Sequence, residues 1–100
     1  MYNIDIGQVY TFKLNSGEEV IAKVVGQQDG YVDVETPVSV APGPQGMGLI
    51  QSLFTADPDK KITLNMNCVA IHALTDDGVK MKYIEATTGI KIPEKKIIMG

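Results

Sequence analysis

Arginine is absent from this chain of 100 residues. All nine basic side chains are lysines, set against twelve carboxylates, for a net charge of -3. Tight, sequence-independent DNA binding depends on neutralising many phosphates, and this balance excludes it. Without arginine the chain also lacks the side chain best shaped for bidentate contacts to phosphate or guanine. Cys68 is the single cysteine and His72 the single histidine. No internal disulfide can form, and one Cys with one His cannot supply a four-ligand structural zinc site. A reducing compartment is the simple expectation for such cysteine usage. No run reaches the ~18 apolar residues of a membrane span. The opening MYNIDIGQVY carries neither the basic segment nor the apolar stretch of a secretion signal, so a cytoplasmic location is expected, with no membrane partner.

What is present is period-two patterning. In Val9–Leu14, Tyr10, Phe12 and Leu14 share one face, and Thr11 and Lys13 the other, as in a half-buried strand. Asn15-Ser16-Gly17 reads as a tight turn. Glu19–Val25 returns with Val20, Ala22 and Val24 inward and Ile21 on the opposite, also covered, face. Asp29-Gly30 marks a second hairpin, followed by Tyr31–Thr36 with Val32 and Val34 inward and Asp33 and Glu35 outward. Pro37 marks an edge or a strand end. Residues 41–48 read as a loop from their Gly/Pro content, Leu49–Thr55 as a fourth strand, Ile62, Leu64 and Met66 as a further alternating segment, and Cys68–Leu74 as the last, with Val69, Ile71 and Ala73 on one face.

A helix is predicted over about 76–88. Thr75 or Asp76 can cap it, and Val79, Tyr83 and Ala86 make one apolar stripe. Ile90–Ile92 reads as a short extra strand within a C-terminal tail, 89–100. The expectation is one domain over 1–100, mostly β: five short strands in a small, strongly bent barrel over about 8–74, then a C-terminal helix.

Within this pattern the stretch from Phe12 to Val24 resembles the first signature of the Sm-like family, which includes Hfq. Leu14 stands three residues before Gly17, followed by Val20, Ala22 and Val24. The second, shorter signature falls at Leu64–Ile71, and the layout is similar to that of small Sm-like proteins encoded by bacteriophages. Ala22 stands where the family usually has Gly, and Asn65-Met66-Asn67 where it usually carries Arg-Gly or Lys-His. The resemblance implies an SH3-like barrel whose exposed edge strands pair between copies in a homo-oligomeric ring. By that reading Leu49, Ile50, Leu53, Phe54, Val69 and Ile71 belong to a subunit interface. It further implies weak single-stranded RNA binding, with Tyr31 stacking on a base and Asn65 and Asn67 reading base edges.

The remaining chemistry is sparse. No Ser/His/Asp order, no carboxylate pair on a fixed element and no phosphate-cradling loop is evident, and Gly43, Gly46 and Gly48 do not open a helix after a strand. The expectation is a non-enzymatic protein with no cofactor and no metal. Its partners would be itself and either single-stranded RNA or another protein. For a phage-encoded chain the location would be the host cytoplasm. The alternative is an oligomeric adaptor or scaffold with no nucleic-acid role, which the acidic balance favours.

Overall fold

The structure, a computed structural model, describes residues 2–44, 46–57 and 59–89. Six strands form one antiparallel sheet: β1 (Val9–Leu14), β2 (Glu19–Gln28), β3 (Tyr31–Gly43), β4 (Gly46–Gln51), β5 (Ile62–Asn65) and β6 (Val69–Leu74). A short 3-10 turn, Met66–Cys68, joins β5 to β6. One α-helix, α1 (Asp77–Ile84), follows and widens into a π-helical turn over Glu85–Gly89. The expected tail strand at Ile90–Ile92 lies outside the described residues.

The strand order is β4-β3-β2-β1-β6, with β5 also pairing to β3. β3 serves two partners on one side: residues 31–34 pair with β5 and residues 38–43 with β4. The handover falls at Glu35–Pro37, where the strand bends. Thr36 takes a left-handed φ of 51°, and Pro37 has no N–H to donate. Opposite this point Ile21 pairs with Val38 and Lys23 with Glu35, so β3 carries one extra residue, a β-bulge. A second bulge lies between Val24 and Gly26 on β2.

These bulges curl the sheet so that both faces are buried. The inner face collects Tyr10, Phe12, Ala22, Val24, Val32 and Val34 with Ile4, flanked by Leu14, Ile62, Leu64, Met66 and Val69. The outer face buries Val9, Ile21 and Val38 beneath Tyr83 of α1, with Val40, Leu49 and Val79 alongside. The N-terminal segment covers part of the inner core. Its Ile4 is buried, Gln27 exchanges side-chain hydrogen bonds with the Tyr2 N–H (3.3 Å) and the Ile4 carbonyl (2.8 Å), and the Asp5 N–H donates to the Tyr10 hydroxyl (2.9 Å).

Several expectations need correction. β1 has the expected bounds, but the sheet is not closed into a barrel: β5 lies along β3, β6 lies along β1, and β5 and β6 do not pair with each other. Most of the supposed loop 41–48 is strand, which carries β3 on to Gly43 and starts β4 at Gly46, and all six extended segments read from the sequence are separate strands among the described residues. Glycine lets the chain reverse there: Gly43 pairs with Gly46, whose φ is 105°. β4 therefore ends at Gln51, and Leu53 and Phe54 lie beyond it. Val69 and Ile71 do not share one inward face. A register shift between Lys13 and Leu14 places Val69 opposite Leu14, against the inner core, whereas Ile71 opposes Lys13 and is exposed. His72, opposite Phe12, occupies the inner side, 6.4 Å from the Phe12 ring. Asp33 is buried rather than solvated, because Gly26 across the ladder leaves room for its carboxylate: a Cβ there would sit 2.9 Å from Oδ2. Gln28 (2.9 Å) and Thr63 (3.4 Å) donate to Asp33 Oδ1.

α1 starts where Asp76 accepts from the Gly78 and Val79 N–H groups (3.0 and 3.2 Å). It widens at its end because the Thr87 hydroxyl donates back to the Tyr83 carbonyl and that of Thr88 to the Ile84 carbonyl. Tyr83 anchors it: 4% exposed, its hydroxyl shared between the carbonyls of Glu35 (3.1 Å) and Thr36 (2.9 Å). Burial pushes the Tyr83 phenol above its ordinary value, outweighing the opposing hydrogen bond at Thr36.

Two outcomes follow for Tyr83→Phe. Losing the hydroxyl leaves two carbonyls without this donor and should lower unfolding free energy by about 1–3 kcal/mol in urea denaturation at pH 7. A raised folded pKa means the native state keeps a proton that the unfolded phenol releases near pH 10, so this contribution is present below about pH 10 and is lost as pH rises toward the folded value. The stability gap between wild type and Tyr83→Phe should therefore narrow above about pH 10.

Candidate functional site

The side chains singled out for base contacts converge at one end of the sheet. Tyr31 opens β3 and pairs directly with Asn65, the last residue of β5. On one strand face such a pair places Cβ atoms about 5 Å apart. The Met66 N–H donates to the Gly30 carbonyl at 3.0 Å, joining the 3-10 turn to the β2–β3 hairpin. On the other side Asn15, in the β1–β2 turn, donates from its backbone to the Cys68 carbonyl (2.7 Å) and from Nδ2 to the Asn67 carbonyl (3.0 Å). The turn carrying Asn67 is thus held from both hairpin ends.

The three side chains differ in freedom. Tyr31 is 42% exposed, leaving much of its ring accessible for stacking. Asn65 is exposed, but its Oδ1 accepts from the Asn67 N–H at 2.9 Å and caps the turn. That leaves its Nδ2 to face a ligand. The Asn67 side chain is exposed and makes no hydrogen bond among the described residues. The arrangement offers one aromatic surface beside amide donors and one amide acceptor, a set that can stack on a planar ring and read a hydrogen-bonding edge. Asn15 escaped the sequence reading; its place in a turn before Gly17 was the available signal.

The side chains expected at a subunit interface split into two environments. Leu49 packs half-buried on the α1 side and Val69 against the inner core. Ile50, Leu53, Phe54 (65%) and Ile71 (64%) are exposed in the single chain. Leu74, Met81 and Ile84, which the patterning did not single out, are exposed as well. Cys68 is exposed, and among the described residues no group of three or more His, Cys, Asp or Glu side chains is arranged to hold a metal ion. No described helix is long and apolar enough to cross a membrane.

The turn makes a clean stability test. Asn65→Ala removes the capping acceptor and should cost about 0.5–2 kcal/mol in urea denaturation, whereas Asn65→Asp keeps an acceptor and should retain most of it. Asn67→Ala should stay within about 0.5 kcal/mol of wild type, which makes it a probe of binding rather than of folding.

No protein-family model and no curated protein sequence matches this chain.

Proposed function

We propose that this chain is a non-enzymatic Sm-like module, its sheet curled as a small, strongly bent, incompletely sealed barrel, that assembles head to tail into a homo-oligomeric ring. The observation that carries this reading is the state of the two end strands. β4 (GMGLIQ) and β6 (VAIHAL) are each six residues long and, among the described residues, stand at opposite ends of the strand order. Neither contains Lys, Arg, Asp, Glu or Pro, the residues that normally guard a free edge against another strand. Exposed Ile50 lies on one end strand and Ile71 on the other, so pairing β4 of one copy with β6 of the next would satisfy both ladders and remove apolar surface from water.

On this ring the Tyr31–Asn65–Asn67 turn would bind single-stranded RNA weakly, with Tyr31 stacking on a base. The second reading is an oligomeric adaptor that binds protein and no nucleic acid. The net charge of -3 without any Arg favours it, as do the exposed Leu53 and Phe54.

Light scattering at tens of micromolar should give an oligomer, and Ile50→Lys or Ile71→Lys should shift it toward monomer; a monomeric wild type would remove the ring. Titration into labelled U-rich and A-rich oligonucleotides at low salt separates the two binding readings. Saturable binding, weakened by about 5- to 150-fold in Tyr31→Ala and weakened also in Asn67→Ala, supports the RNA site. Absence of binding at micromolar protein leaves the adaptor.

A further inference from the structure

Helix α1 is joined to the rest of the fold unevenly. Among the described residues Tyr83 is its only buried side chain, with Val79 and Lys80 half-buried. Met81 and Ile84 face solvent. Even with its π-helical turn over Glu85–Gly89, the helical stretch from Asp77 only reaches the lower edge of the about 12–15 residues that favourable sequences need to persist alone in water, and Gly89 with three β-branched Val and Thr residues makes it a poor helix former. α1 therefore stays helical only while Tyr83 is docked, and undocking and melting are one event. The docking point is itself under tension, because the Thr36 carbonyl that accepts from Tyr83 belongs to a β-branched residue held at φ 51°.

The hinge, by contrast, is fixed. Thr75 is buried, its N–H donates to the Val9 carbonyl (3.1 Å), and its hydroxyl meets that of Thr11 at 2.9 Å. Asp76 then leaves in an extended conformation, φ -52° and ψ 141°. Beneath the helix lies a continuous apolar strip of Val9, Ile21 and Val38 with Val40 and Leu49, reaching from β1 to β4, the last strand on that side among the described residues.

We propose that α1 is a releasable strap: it pivots at Thr75–Asp76 and uncovers the Val9–Ile21–Val38 strip while the sheet and its inner core stay folded. The strap is a property of the single chain and holds whether or not the chain forms rings.

Thiol labelling of the folded protein tests this. In the full chain carrying Cys68→Ser, Val38→Cys places a thiol under the strap and Val34→Cys places one in the inner core. Both valines are buried and are replaced by a similarly small apolar side chain. At urea concentrations below the unfolding transition, the thiol at 38 should be modified at least about tenfold faster than the thiol at 34, with a rate that rises little with urea. Hydrogen exchange on the unaltered chain gives the same reading without substitutions. The Lys80 amide, bonded to the Asp76 carbonyl at 2.8 Å, should exchange at least about tenfold faster than the slowest amides of the β1–β2 hairpin. Equal rates with equal urea dependence at the two thiols, or in the two sets of amides, would mean that α1 leaves only when the whole fold unravels, and would overturn the proposal.

Discussion

The bend in β3 at Glu35–Thr36–Pro37 is the constraint on which the other parts depend. A straight strand of 13 residues would present one register to one neighbour on each side. The extra residue at the bend lets β3 pair with β5 before it and β4 after it, while β2 follows along the other edge. The same bend turns the Glu35 and Thr36 carbonyls toward Tyr83. Sheet curvature, the β4 hairpin and the seat of α1 therefore share one origin. The left-handed Thr36 is tolerated because the ladders on either side and the phenol above over-determine its position.

Burial on two faces follows from that curvature. The buried inner core is a patchwork of Phe12, Tyr10 and Ile4 with the small side chains of Ala22, Val24, Val32 and Val34, which suits a tightly curled sheet. One end of it is managed by the N-terminal segment around Ile4, and another by the 3-10 turn, which links β5 to β6 without a ladder between them. That turn carries Asn65 and Asn67, so the residues that bridge the open side of the sheet also form the candidate binding surface. It is held by the Gly30 carbonyl, which accepts from Met66, and by Asn15, which donates to the Cys68 and Asn67 carbonyls, the two residues lying in different hairpins. On the outer face α1 supplies a smaller cover through one large side chain, and its hold is correspondingly local.

Much of the strand content was legible because period two is a local property. Val9–Leu14 has the expected bounds, and Val20, Ala22, Val24, Val32 and Val34 are buried as the alternation requires. The juxtaposition of Tyr31 with Asn65 was legible only through the family resemblance, since no local pattern relates positions 34 apart in sequence. The misreadings fall where one residue's slip reverses a face. The register shift beside Leu14 separates Val69 from Ile71, and the Gly/Pro composition of 41–48 concealed a hairpin whose strands contain the very residues that mark loops elsewhere.

Local sequence determined which segments extend, where most of the tight turns fall, and that α1 is capped at Thr75 or Asp76, because side-chain alternation, glycine turns and capping act over a few residues. The tertiary structure alone decided that β3 is shared between β4 and β5, that Asp33 is buried against Gly26, and that Tyr83 reaches the Thr36 carbonyl. Each of these depends on a bulge or on a contact between distant segments. A bulge changes strand register without leaving a periodic trace, and the energy of a long-range contact appears only once the chain has brought its two ends together.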